Sequence, residues 1–229
     1  MERIAELQLK EFMRRESLPH SYMQLTQDWL QPLAEWLSNR FLQSDGPLFI
    51  GIHGAQGSGK TTLTQVLSLL LGAQGRRVQW LSLDDFYLPK AQRLQLAADV
   101  HPLFATRGVP GTHDIGLLQA VVAQLLQGER ALLPVFDKAS DDQLPPSGWT
   151  SAGAGTEIVL LEGWCLGCVA ASVEQLEPAL NPLEAQEDAD GVWRRAVNNS
   201  LAGAYADLFA CLDALVMLQV PSMAQVVEW

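Results

Sequence analysis

The residues Gly54-Ala-Gln-Gly57-Ser-Gly59-Lys60-Thr61 have the spacing GxxxxGK[ST], and the chemistry open to that pattern is the binding of a nucleotide's phosphates. The glycines let backbone N–H groups wrap a β-phosphate. Lys60 is a cation for β- and γ-phosphate oxygens, and Thr61 offers a hydroxyl to Mg2+. Gln56, Ser58 and Thr62 complete the predicted nucleotide contacts.

Three carboxylates stand apart from this loop: Asp84 and Asp85 follow the apolar run 78–83, and Glu162 follows 157–161. Transfer of a phosphoryl group to a hydroxyl needs an acceptor for the proton and oxygen ligands for Mg2+, and carboxylates at neighbouring strand ends can serve both needs. Thr61, Asp84 and Glu162 are therefore the predicted metal set. Asp85 also fits the cap of a helix.

These groups need a scaffold. Leu48–Ile52 is a short apolar run of the kind that forms a buried parallel strand, and the residues from Thr61 to Leu71 present Leu63, Val66, Leu67, Leu70 and Leu71 on one helical face. Strands are also expected at 78–83, 132–136, 157–161 and 214–220, with helices at 115–126 and 192–209. Residues 90–114 read as irregular, with a type II turn at Val109-Pro110-Gly111. The alternation predicts an α/β fold of the P-loop NTPase kind, its mostly parallel sheet covered by helices on both faces. Residues 1–46 read as an accessory helical segment with an apolar stripe of Leu18, Met23, Trp29, Leu33 and Leu37, ahead of a nucleotide-binding domain at 47–229.

The 229 residues are 48% hydrophobic and 18% charged, which excludes a disordered polyelectrolyte, and no apolar run approaches the roughly 20 residues of a membrane span. The net charge of −11 gives the wrong field for nucleic acid or an anionic membrane. Residues 1–138 hold 13 of the 15 Lys and Arg and 13 of the 26 Asp and Glu, so the whole net charge falls on the remaining 91 residues. Met1-Glu2-Arg3 does not open a secretory signal, so the expected setting is the cytoplasm. Cys165-Leu-Gly-Cys168 has CxxC spacing without a second pair or a His pair, and with Cys211 it reads as small buried thiols.

The nucleotide loop alone does not name a reaction. An NKxD base-reading motif and an LSGGQ signature are both missing, and Asp188-Ala-Asp-Gly191 matches DxxG without a strand before it. What remains fits a small-molecule kinase.

Four further motifs follow the loop in order: Leu81-Ser-Leu-Asp84-Asp85-Phe86-Tyr87-Leu88-Pro89, Arg107-Gly-Val-Pro-Gly-Thr-His113-Asp114, Phe136-Asp137-Lys138-Ala-Ser, and Leu161-Glu162-Gly163-Trp164-Cys-Leu-Gly167. Together they resemble the D-glycerate 3-kinases, a group similar to uridine kinase, phosphoribulokinase and pantothenate kinase. The resemblance implies transfer of the ATP γ-phosphate to a hydroxyl of a small metabolite. It also implies Asp84 as general base, Glu162 near Mg2+, and Asp114 on the acceptor's hydroxyls.

A glycerate-like acceptor carries a carboxylate, and a site rich in acidic groups needs cations to receive it. Arg107, His113 and Lys138 are the candidates, with Tyr87 in the same segments. Relatives continue past the last strand with a basic helical lid. Here Pro221 is expected to open another helix and the chain stops at Trp229, so the lid region is expected to be absent. Nucleotide binding is then expected ahead of turnover, and a nucleotide-binding switch without metabolite chemistry is the alternative reading. The acceptor is a small molecule on the first reading and a protein partner on the second, and the oligomeric state is left open.

Overall fold

The computed structural model describes residues 2–220 together with Ser222, Ala224 and Val226. The helix expected from Pro221 starts outside the described residues. The amino-terminal segment forms α1 (Glu2–Arg15), α2 (Ser21–Leu25), a π-helical turn at Thr26–Leu30 and α3 (Gln31–Leu42). The π turn shifts the helical phase, so the apolar stripe differs from the expected one. Trp29 is 73% exposed, whereas Leu30, Ala34 and Leu37 are buried.

β1 (Leu48–Gly54) leads into α4 (Lys60–Ala73), and β2 (Val78–Ser82) follows. Residues 90–114 are more regular than expected, because Lys90–Asp99 is α5; α6 (Ile115–Leu126) comes next. The expected strand at 132–136 divides into β3 (Ala131–Leu133) and β4 (Phe136–Asp137). β3 pairs with β6 (Thr150–Ala152) and β4 with β5 (Asp142–Gln143), both antiparallel. β7 (Ile158–Gly163) is buried along its whole length. Then come α7 (Val173–Leu176), α8 (Pro182–Glu187), α9 (Val192–Ser200), a π-helical turn at Leu201–Tyr205, α10 (Ala206–Ala210) and β8 (Ala214–Leu218).

The main sheet has the order β2-β7-β1-β8, with every pair parallel. Successive residues of a strand face opposite sides, and the core divides accordingly. Phe49 and Leu161 pack with Leu118, Val122, Tyr205 and Leu208 on one face. Ile50 and Leu160 pack with Leu67, Leu37 and Phe12 on the other, so α1 and α3 share a core with the sheet. Coverage on both faces explains why β1 and β7 carry continuous apolar runs. The outer strand β8 instead leaves Leu215 and Met217 exposed. Among the described residues no helix is long and apolar enough to cross a membrane.

β1 and β2 are consecutive in the chain, yet β7 lies between them. The loops after β1, β2 and β7 therefore leave the same end of the sheet side by side, where open α/β sheets bind ligands.

Candidate active site

The nucleotide loop is shaped by two glycines in the left-handed region, Gly57 at φ +76° and Gly59 at φ +84°. Gly59 caps α4, which puts Lys60 and Thr61 in its first turn, and Thr62 is the next helical residue. Gly54 is a position of close approach: a Cβ there would lie 2.4 Å from Ser58 Oγ and 3.2 Å from Leu218 Cβ. Gln56 is exposed at the loop tip. Ser58 Oγ is buried with no hydrogen-bond partner among the described residues.

Parallel register places Glu162 of β7 opposite Ser82 of β2 and Ile52 of β1. Ser82 Oγ donates to Glu162 Oε1 at 2.7 Å, and Thr61 Oγ1 donates to the same oxygen at 3.2 Å. Glu162 Oε2 is buried and has no hydrogen-bond partner among the described residues. A threonine hydroxyl beside a carboxylate with one uncommitted oxygen is a hard oxygen donor set and fits Mg2+, which takes few protein ligands when phosphates supply the rest.

Asp84 and Asp85 lie on a 3-10 turn, Leu83–Phe86, directly after β2. Their environments differ. Burial works to raise Asp84, but the hydrogen bond and charge of Lys138, whose Nζ donates to Asp84 Oδ2 at 2.8 Å, outweigh it, with help from Tyr87. The carboxyl ends below its ordinary value. Asp85 goes the other way: burial raises it and the charges of Asp84 and Glu162 add to the rise, against a long backbone hydrogen bond of 3.4 Å from Phe136 N–H. The two groups thus differ as Brønsted bases, and Asp84 is the one held ionised.

Around Asp84 the second motif closes a wall. Val109-Pro110-Gly111 makes the expected turn, with Gly111 at φ +100° and Thr112 N–H donating to Val109 C=O at 3.1 Å. His113 stacks on Tyr87 at 4.3 Å between ring centroids. Its Nδ1 is 2.6 Å from the Tyr205 hydroxyl. Burial pushes the imidazole down to about 3, so His113 is neutral and not the cation expected for an acceptor carboxylate.

Asp114 caps α6, its Oδ1 accepting from Leu117 N–H at 2.8 Å. Arg107 lies over the Phe136 ring and is ion-paired with Asp141. Asp141 also pairs at 3.0 Å with Arg93, whose side chain is fully buried. The structure therefore brings Thr61, Asp84, Asp85 and Glu162 together at one end of the sheet, with Tyr87, His113 and Lys138 beside Asp84. Arg107 and Asp114 are engaged with other protein groups.

A scan against protein-family models matches residues 49–188 to the phosphoribulokinase / uridine kinase family. The chain belongs to this family. Within it, the chain is 33% identical over 198 residues to the Uncharacterized kinase mug58 of Schizosaccharomyces pombe, covering 80% of this chain and 68% of that one. It is 26% identical over 216 residues to the chloroplastic D-glycerate 3-kinase of Arabidopsis thaliana, covering 88% of this chain and 44% of the plant protein. Among solved structures, the D-glycerate 3-kinase of Cryptococcus neoformans superposes with a TM-score of 0.71 at 26% identity, over 87% of this chain and 75% of that one.

The phosphoribulokinase / uridine kinase family is one of small-molecule kinases, and two residues that position site groups in this member are not singled out by sequence: Ser82 lies unremarked inside the Leu81–Pro89 motif, and Tyr205 lies outside all of the motifs. Ser82 positions Glu162, and its signal is the register of β2 against β7. Tyr205 positions His113 from 92 positions away and gave no local signal. Trp164, next to Glu162 and Gly163, donates from Nε1 to Gly108 C=O at 3.0 Å, so the β7 end is tied to the turn that carries His113.

Proposed function

We propose that this chain transfers the γ-phosphate of ATP to a hydroxyl of a small hydroxy acid of the glycerate type. The observation that carries this reading is the division of labour between two carboxylates: Glu162 tied to Thr61 of the nucleotide loop, and Asp84 held ionised by Lys138. The first belongs to the phosphate side and the second to the acceptor side.

Gly54, Gln56, Gly57, Ser58, Gly59 and Thr62 form the phosphate cradle, with unpartnered Ser58 Oγ available to a phosphate oxygen. Lys60 at the α4 terminus neutralises the transferring group. Thr61 and Glu162, with Asp84 as the third expected ligand, would hold Mg2+, which when bound would supply charge neutralisation to the nucleotide's phosphates. Asp84 accepts the hydroxyl proton as the acceptor oxygen bonds to the γ-phosphorus and the bond to the β-phosphate oxygen breaks. Lys138, largely exposed beside Asp84, supplies positive charge for the acceptor's carboxylate while Arg107 is held by Asp141, and the relatives named D-glycerate 3-kinase favour that acceptor class.

The test is ATP consumption with Mg2+ against a panel of D-glycerate, other hydroxy acids, nucleosides and pantothenate. Stimulation by hydroxy acids alone is the expected result. Stimulation by a nucleoside or by pantothenate instead removes the acceptor assignment, and no stimulation by any of them removes the kinase reading.

A further inference from the structure

His113 stands in the second motif, but its partner Tyr205 lies outside every motif, and the pairing of the two is not accounted for by them. Tyr205 is buried at 1% exposure on the π-helical turn before α10, and its hydroxyl meets two groups. It accepts from Gly111 N–H at 3.1 Å and lies 2.6 Å from His113 Nδ1. A phenol has a single proton. Among the described residues His113 Nδ1 is the acceptor that this proton reaches, so Tyr205 donates and Nδ1 carries a lone pair. In a neutral imidazole the proton then resides on Nε2.

That Nε2 is buried and has no hydrogen-bond partner among the described residues. An unpaired buried N–H is costly, and where it persists in a folded protein it invites an explanation. The two ring nitrogens point in widely different directions, so Nε2 is directed away from Tyr205. Asp84 is the charge that acts on the ring, and Tyr87, which helps to lower the Asp84 carboxyl, is stacked on the ring at an interplanar angle of 22°. A backbone bridge between Tyr87 and His113 keeps the two rings in register.

We propose that Tyr205 is a positioning residue that locks His113 as the Nε2–H tautomer, and that this N–H is a neutral donor to an acceptor oxygen adjoining the hydroxyl that Asp84 deprotonates. The proposal rests on the kinase reading and deepens it, since it selects acceptors with a second oxygen next to the reacting one. A site built to satisfy such an oxygen also rejects analogues that lack it, because the N–H would stay unpaired. A neutral donor has a further advantage over a cation here. It grips the acceptor without adding a second cation beside Asp84, which Lys138 already pairs, and it does not change charge between about pH 5 and 8.

The experiment is nitrogen NMR of the full chain labelled at histidine, with the His113 signals assigned by their loss in His113→Gln. Wild type is expected to show His113 as one tautomer, protonated at Nε2, and Tyr205→Phe a mixture. Addition of D-glycerate with a non-hydrolysable ATP analogue is expected to move the Nε2–H signal. In kinetics, Tyr205→Phe is expected to raise the KM for D-glycerate about tenfold, the loss of one oriented hydrogen bond, with the KM for ATP unchanged.

A proton found on Nδ1 in wild type overturns the proposal, as does a Tyr205→Phe variant with an unaltered tautomer. Phosphate transfer to D-glycerate without a response at His113 overturns the acceptor contact and leaves the kinase reading standing. A response at His113 without phosphate transfer supports the contact and removes the kinase reading for glycerate.

Discussion

Thr61 and Glu162 lie 101 positions apart in the chain and meet in a hydrogen bond of 3.2 Å. The contact follows from topology. Thr61 is placed by the loop after β1, Glu162 ends β7, and the two strands are neighbours in parallel register. Among the described residues Oε1 of the carboxylate is committed to Thr61 and Ser82, and Oε2 has no hydrogen-bond partner.

Glu162→Gln keeps the shape of this side chain and removes its charge. ATP binding without metal is expected to persist, the gain in affinity on adding Mg2+ to shrink, and kcat to fall by about 10²–10³. Calorimetric titration of ATP with and without Mg2+ separates these effects. An undiminished Mg2+ effect in the variant would take Glu162 out of the metal site.

Asp84→Asn removes the proton acceptor while keeping a side chain that Lys138 can approach. Turnover is expected to fall by about 10²–10⁴ with ATP affinity nearly unchanged. Lys60→Ala, in contrast, is expected to weaken nucleotide binding itself. Equal loss of ATP binding in both variants would contradict the separation of phosphate and acceptor sides.

Lys138→Ala leaves burial as the dominant influence on Asp84, so its carboxyl rises. The acidic limb of kcat/KM against pH is expected to move to higher pH, since a base must be ionised to act. The sign for stability is consistent. A carboxyl lowered on folding stabilises the fold above its unfolded pKa, and that gain is lost as pH falls through the folded value. Lys138 is 61% exposed, so the stability change is expected to stay below about 1 kcal/mol. An acidic limb that does not move would mean that Asp84 is not the titrating base.

Arg93→Ala removes a fully buried guanidinium that donates to the carbonyls of Leu88 at 3.2 Å, Ala105 at 2.9 Å and Asp141 at 2.7 Å. The expected cost is about 3 kcal/mol, because three carbonyls lose their donor together and Asp141 is left with Arg107 as its one guanidinium partner among the described residues. Urea unfolding measures it. A loss under about 1 kcal/mol would show that water replaces the guanidinium freely.

The nucleotide loop, the acidic strand ends and the central strands were legible in sequence because each depends on local pattern: glycine spacing, carboxylates after apolar runs, and continuous apolar stretches. α5 was not legible. Its inward group is the charged side chain of Arg93, and the hydrophobic period that normally marks a helix is weak there. The stripe of the amino-terminal segment slipped at Trp29 because a π turn adds a residue to the repeat. Cys165 is buried as expected, whereas Cys211 is exposed. The place of His113 beside Tyr87 and the charge of its ring were not legible, since packing decides the first and burial the second. Tyr205 depends on packing between distant segments, which no local pattern encodes.

Arg93 joins the carbonyls of Leu88, Ala105 and Asp141, and Asp141 in turn holds Arg107. Three separate stretches of the acceptor wall are thereby strapped into one piece, while Lys60, Thr61 and Glu162 take their positions from the sheet. Such a division is a route for divergence. Substitutions in the strapped piece can retune which metabolite is accepted without disturbing the machinery that handles the nucleotide, as a lathe takes a new chuck on the same spindle.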